Sequence, residues 1–211
     1  MMPRQCLVCG RRLSVMESHL CLWCAADLPL TYNWELPHNT MADKLNAILE
    51  RWRRDDEPMP YSHAAGLLFY HAENPYKKIP QAVKYGYNLP AGRFFGKLLG
   101  EKMSGEEHFK GIDTVIPVPL HWFRRFSRGY NQAEVIAGAV AKALGASLES
   151  RALARVRRTV SQTRLDAEQR FRNVSGVFRL RRSASLEQRL SGARHILVMD
   201  DTFTNGATLA A

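Results

Sequence analysis

The segment Ile196-Leu-Val-Met-Asp-Asp-Thr-Phe-Thr-Asn-Gly-Ala-Thr208 sets two adjacent carboxylates, Asp200 and Asp201, directly after a four-residue apolar run. In open α/β sheets, ligands sit at the carboxyl ends of strands, which is where these aspartates fall. The residues that follow are small or hydroxylic around Gly206, with Thr204 and Thr208 on either side. Such a loop can turn several backbone N–H groups inward. Threonine hydroxyls and the N-terminus of a following helix then complete an anion cradle. Carboxylates next to a phosphate cradle suit a ligand that carries both chemistries, such as ribose 5-phosphate. Its hydroxyls would donate to the aspartates while its phosphate lies in the loop. The GxxxxGK[ST] pattern is absent, so this is no P-loop. A plainer alternative, aspartates that only cap the next helix, stays open.

The second group is Cys6-x2-Cys9-x11-Cys21-x2-Cys24, which uses all four cysteines of the chain. Two CxxC knuckles present four thiolates, enough to close a tetrahedral zinc shell with no open position. That makes the expected zinc structural and not catalytic. Gly10 permits the tight turn after the first pair. Unliganded or redox-active CxxC pairs and an iron–sulfur centre are the alternatives. His19, between the pairs, is a substitute ligand by residue type, or a surface residue. The module could dock nucleic acid, fold against the rest of the chain, or stabilise a short N-terminal region.

Charge narrows the partners without choosing one. The chain has 30 Lys+Arg against 20 Asp+Glu over 211 residues. Between His121 and Arg182 there are 14 Lys+Arg against 4 Asp+Glu, nearly all of the basic residues arginine, and the remainder of the chain is balanced. Such a field could bind nucleic acid through its phosphates, concentrate a small polyphosphate, or simply be solvated. Hydrophobic residues at 45% argue against wholesale disorder. The longest apolar helical run, Val135 to Ala141, stops at Lys142, far short of the roughly 20 residues of a bilayer span, so no membrane insertion is expected. No secretory signal is evident, and a cytoplasmic location is expected, where thiols serve metals more readily than disulfides.

The elements that must position these groups follow from periodicity. Met41, Leu45, Ile48, Leu49 and Trp52 recur at helical spacing, with Thr40 as the expected N-cap. Residues 53–60 read as a linker. Ala64 to Tyr70 is expected as a strand, Ile79 to Tyr85 as a short helix, and the Phe94–Leu99 region as another. Asp113 to Pro119 reads as a strand running into a loop, and Ala133 to Leu144 as a helix closed by Gly145. Phe171 to Leu180 is ambiguous between strand and loop, and His195 to Met199 is expected as a buried strand. Alternation of strands and helices points to an α/β fold with a mostly parallel sheet.

Several boxes together resemble the ComF/GntX family of competence- and DNA-utilisation-related proteins. These are the cysteine pairs, Leu45 to Trp52, Val83-Lys-Tyr-Gly-Tyr87, Val115-Ile-Pro-Val-Pro-Leu120, Arg128-Gly-Tyr-Asn-Gln-Ala133, Gln162, Arg170 with Asn173, and Val198 to Thr208. The resemblance covers nearly the whole chain. It implies a type I phosphoribosyltransferase-like domain over 61–211, with its C-terminal end incomplete relative to the family. A zinc module over 1–36 and a helix and linker over 37–60 would precede it. It implies that Asp200 and Asp201 hold the ribose hydroxyls of phosphoribosyl pyrophosphate, accompanied by magnesium. Thr204, Asn205, Gly206, Ala207 and Thr208 would form the 5-phosphate loop. Lys84, Arg128, Gln132 and Arg170 are candidates for the pyrophosphate side. The family usually has an aliphatic residue where Thr202 stands and threonine where Asn205 stands. Gln162 to Asn173 occupies the place of a mobile covering loop.

Two roles follow as expectations. One is a phosphoribosyltransferase of unassigned acceptor; the other is an accessory protein of DNA uptake that binds single-stranded DNA or DNA-uptake proteins. Trp122, Phe123, Phe126 and Tyr130 interleave with Arg124, Arg125 and Arg128, a pattern suited to single strands or to aromatics packed under arginine stems. His71 and His121 are general-base candidates by residue type alone.

Overall fold

The computed structural model describes residues 4–52, 59–120, 126, 128–157, 176–204 and 206–209. The linker at 53–58, the aromatics Trp122 and Phe123, His121, Arg124, Arg125 and Gln162 through Asn173, including Arg164, Arg170 and Arg172, lie outside them. So does Asn205.

Strand β1 (Thr114–Pro117) is buried along its whole length. It pairs in parallel with β2 (Ser147–Leu148) on one side and β5 (Ile196–Met199) on the other, in the order β2-β1-β5. Alternation along β1 sends its side chains to two cores. Val115 faces a cluster with Leu99, Met103, Ala137, Val140 and Met199. Ile116 faces a smaller one with Ala152 and Leu186. Helices therefore cover both faces, as an α/β architecture requires. A second sheet pairs β3 (Leu153–Arg155) with β4 (Phe178–Leu180) in antiparallel register. The strand option for the end of the 171–180 segment is the one realised.

The large core is closed by α4 (Leu89–Ser104) against α5 (Gln132–Leu144). Gly92, Gly96 and Gly100 repeat every four residues and form one stripe of α4. A Cβ on Gly96 would lie 2.7 Å from the Ile136 carbonyl oxygen, and one on Gly100 would lie 2.6 Å from Ala143 Cβ. The helices thus touch backbone to side chain, a distance only glycine permits. Asn88 caps α4 by accepting from the Ala91 amide, and Pro90 occupies the first turn, where no intrahelical donor is needed. Gly145 ends α5 at φ 69°. The other face carries α6 (Ala184–Ser191), capped by Ser183.

Three expectations need correction. Helix α2 (Thr40–Trp52) starts as expected, but its cap is Asn39, whose Oδ1 accepts from the amides of Met41 and Ala42 at 3.0 and 2.9 Å. Asn39 Nδ2 also donates to three carbonyls, which explains why asparagine is used there and is buried. The segment 64–70 is extended but not a strand. Its ladder with the chain before it is a single antiparallel bridge, Leu30 with Leu68. Pro29 has no N–H to extend that ladder and Tyr32 turns away at φ 56°. Strand β5 is an edge of the three-stranded sheet and not a buried strand: Ile196 and Val198 are 49% and 42% exposed.

At the N-terminal end, α1 (Leu22–Ala26) follows the second cysteine knuckle. Cys6, Val8, Leu13, Leu20 and Cys21 share one core with Ile79 and Val83 of α3 (Lys78–Tyr85), with Tyr76, and with Ala91 and Phe95 of α4. Of the options for this module, folding against the helices is the one seen. Among the described residues no helix is long and apolar enough to cross a membrane.

Candidate functional site

The four cysteine sulfurs lie within 4.8 Å of one another. Each knuckle has its own local device. Gly10, at φ 76°, lets the chain reverse so that its amide donates to the Cys6 carbonyl at 2.9 Å. Cys21 stands at the N-terminus of α1, and its carbonyl accepts from the Ala25 amide. Cys9 and Cys21 sulfurs are 3.7 Å apart, against the about 3.8 Å edge of a tetrahedron with zinc–sulfur bonds of about 2.3 Å. The donor set and its spacing fit zinc. For Cys6, burial acts to raise the pKa, but the backbone amides of Cys9, Cys21 and Val8 outweigh it and bring the thiol down to about 6. Burial, with the neighbouring thiols, pushes Cys24 up to about 12. His19 is not part of the cluster; it packs against the Phe94 ring at 5.1 Å.

The acidic pair sits where the strand ends. β5 finishes at Met199, whose carbonyl accepts from the Val118 amide at 2.8 Å, so Asp200 and Asp201 emerge beside the end of β1. Asp200 Oδ1 accepts from the Asp201 amide at 2.8 Å. Burial and the adjacent negative charge of Asp201 push Asp200 up to about 7, against the opposing pull of that amide, Lys84 and Arg155. Lys84, from the last turn of α3, bridges to Asp201 Oδ1 at 3.2 Å and donates to Thr202 Oγ1 at 2.7 Å. Threonine at 202 therefore has a use in this chain that an aliphatic residue would not: it fixes the ammonium group beside the acid pair.

Behind the pair, the loop is braced by α2. Phe203 and Leu209 pack with Leu45, Leu49 and Ala64. Gly206 is buried at φ 80°, and a Cβ there would come within 3.2 Å of both Ile48 Cδ1 and the Phe203 ring. The Leu209 amide donates to the Gly206 carbonyl at 3.0 Å, closing a turn. Ala207 is buried, Thr208 half-buried and Thr204 exposed.

Asp200, Asp201, Thr204, Lys84 and Gln132 line one cavity of about 800 Å³ between α2, the extended segment 62–70, α3, α4 and β5. Gly206, Ala207 and Thr208 are not on its lining. Gln132 reaches it because Asn131 Nδ2 donates to the Val118 carbonyl at 3.0 Å, which pins the start of α5 to the end of β1. Gln132 is fully buried, and among the described residues neither atom of its carboxamide has a hydrogen-bond partner. Arg128 is not on this lining; its guanidinium lies 4.9 Å over the Tyr85 ring. Of the histidines named by type, His71 is exposed and away from the cavity lining. The cavity wall contributed by Leu45, Leu67, Phe95 and Leu99 was not legible as a site, because each reads as ordinary core.

No family model matches the chain, and no solved structure matches it. Among curated proteins, it is 36% identical over 98 residues to DNA utilization protein YhgH of Salmonella typhi, covering 46% of this chain and 40% of that protein. YhgH of Escherichia coli K12 is 35% identical over the same length. Competence protein F of Haemophilus influenzae is 32% identical over 97 residues, 46% of this chain and 41% of that protein. The match thus spans well under half the length of these relatives.

Proposed function

We propose that the chain, which is similar over 46% of its length to DNA-utilisation and competence proteins, is a member of the ComF family and binds a phosphoribosyl ligand at the acidic pair. Its role is in the uptake or use of external DNA. The observation that carries this is the acid pair at a parallel strand end, with Lys84 on Asp201 and Thr202, opening on a cavity of about 800 Å³. The ribose hydroxyls of phosphoribosyl pyrophosphate donate to Asp200 and Asp201. The 5-phosphate takes the Thr204–Thr208 loop, and Lys84, held beside Asp201, faces the remaining phosphates.

Magnesium fits the same donor set. Two carboxylates are hard oxygen ligands, and a divalent cation relieves the like-charge crowding that raises Asp200. When bound, it would neutralise phosphate charge. The chain's own contribution is to hold the sugar, to present Lys84, and to keep water from the apolar wall of the cavity.

Thermal shift with magnesium and phosphoribosyl pyrophosphate tests this. A ligand that binds only the folded form stabilises it by about 2.7 kcal/mol at a hundredfold excess over Kd. The expected result is a rise in Tm that is lost in both Asp200→Ala and Asp201→Ala. A rise of equal size in both variants would place the ligand elsewhere. Pyrophosphate release over a panel of nucleobases and amines is the second arm. Release identifies a transferase; binding without release identifies an accessory protein that uses the site as a ligand sensor.

A second function, binding of single-stranded DNA, is favoured by the basic run between His121 and Arg182. Of its described arginines, Arg151, Arg157, Arg179, Arg181 and Arg182 are exposed, as phosphate contacts must be, and Arg128 and Arg155 are half-buried.

A further inference from the structure

The turn between α3 and α4 is built around an unexpected residue. Tyr87 adopts φ 51°, a left-handed backbone that a bulky residue takes at a cost and that helix ends normally assign to glycine. Glycine is present one position earlier, but Gly86 stays at φ −94° and leaves the strained position to tyrosine. Burial does not offset that strain, because Tyr87 is 62% exposed. Strain held at an exposed aromatic is a mark of a contact surface.

The surroundings say what the surface fits. Tyr85, two residues earlier, is 67% exposed and carries the Arg128 guanidinium over its face. The Tyr130 ring lies 5.5 Å from that of Tyr87, tilted by 57°. Tyr130 is anchored by its hydroxyl, which donates to the Val83 carbonyl and ties the approach to α5 onto α3. Three tyrosines and an arginine from two segments thus share one patch, at the head of the basic run. Aromatic faces with a guanidinium group, at the start of a basic stretch of sequence, match an unpaired base on a polyanionic strand. A duplex hides its base faces in the stack and offers this patch only phosphates.

We propose that Tyr87, with Tyr85, Arg128 and Tyr130, is a stacking platform for an unpaired base of single-stranded DNA. The proposal rests on the DNA-binding function above and gives it a location outside the acidic cavity.

Fluorescence anisotropy with a labelled oligo-dT strand, titrated at several salt concentrations, tests it, with an equal-length duplex and inorganic polyphosphate as competitors. Wild type is expected to bind the strand at low salt, and the duplex to compete less well. Tyr87→Gly and Tyr87→Asn remove the ring but accept a left-handed backbone, so Tm should hold or rise. Affinity should fall about 5- to 100-fold, the worth of a stacked base. Their salt dependence should match wild type, since no phosphate contact is removed. Tyr87→Phe should bind as wild type. Unchanged affinity in both ring-less variants, or displacement by polyphosphate as effective as by single strand, overturns the platform and leaves charge-driven DNA binding standing. If wild type itself binds no strand at low salt, the DNA-binding function falls, and the platform with it.

Discussion

The cysteine module and the acidic site are assembled by opposite means. The four sulfurs come from one short stretch, and each knuckle is shaped by its own turn or helix start. The acidic site is gathered from far apart: Lys84 meets Thr202 across 118 positions of sequence. Its loop leans on Ile48 of α2, and its rear wall on the start of α5. A local site depends on its ligand for cohesion, whereas a distributed site depends on packing. The two are nevertheless in mechanical contact. The single Tyr76 hydroxyl proton is shared between the Cys24 carbonyl and Asp27 Oδ2, each at 3.1 Å, and Val83, next to Lys84, packs in the core that holds Cys6 and Cys21. The module therefore backs the helix that delivers the lysine.

Removing the metal should have the largest effect on this contrast. Four-thiolate zinc sites contribute on the order of 10 kcal/mol to folding of their modules. Cys6→Ser, or treatment with a strong chelator, should bring metal content measured by elemental analysis to near zero. Amide exchange should become fast across residues 4–28. Because α3 shares that core, the thermal shift with phosphoribosyl pyrophosphate should weaken too. An undiminished shift in the metal-free protein would show the two regions to be independent.

Gly100→Leu attacks the packing side at a point of α4 outside the cysteine core. Its Cβ would already lie 2.6 Å from Ala143 Cβ, and overpacking of this kind costs about 1–3 kcal/mol. A lowered Tm and a weakened ligand shift are expected, with metal content unchanged. Metal loss in this variant would contradict the separation drawn between the regions.

The smallest effect is one of pH. Asp200 titrates near 7 in the folded chain, above the ordinary carboxylate value of 3.8. The folded state therefore holds the extra proton, and its stability should decline as pH rises through the window from about 4 to about 7. Asp200→Asn should flatten Tm across that window, whereas the decline should persist in Cys6→Ser. A wild-type Tm profile that Asp200→Asn leaves unaltered would mean that Asp200 is not the group responsible.

Much of the acidic site was legible because its signal is a contiguous string: an apolar run, two aspartates and a glycine between hydroxyls. The helices were legible at α2, α3, α4 and α5, where period and punctuation agree. Residues 64–70 have the apolar content of a strand but form no ladder, because the segment they face includes Pro29, which has no N–H to donate. The stripe Gly92, Gly96, Gly100 was visible in the chain at a spacing of four, but only its contact with Ile136 and Ala143 gives it meaning.

The amino-acid sequence by itself determined the chemistry on offer: which thiols come in pairs, which carboxylates adjoin, and where arginine accumulates. Covalent order is sufficient for that, since these features span a few residues each. Only the tertiary structure decided that Lys84 lies on Asp201, that Gln132 is sealed into the cavity, and that Arg128 lies on Tyr85 and off the cavity lining. Those placements depend on how helices cross and which strand becomes an edge. Such outcomes are set by close packing summed over the molecule, and no local run of residues encodes them.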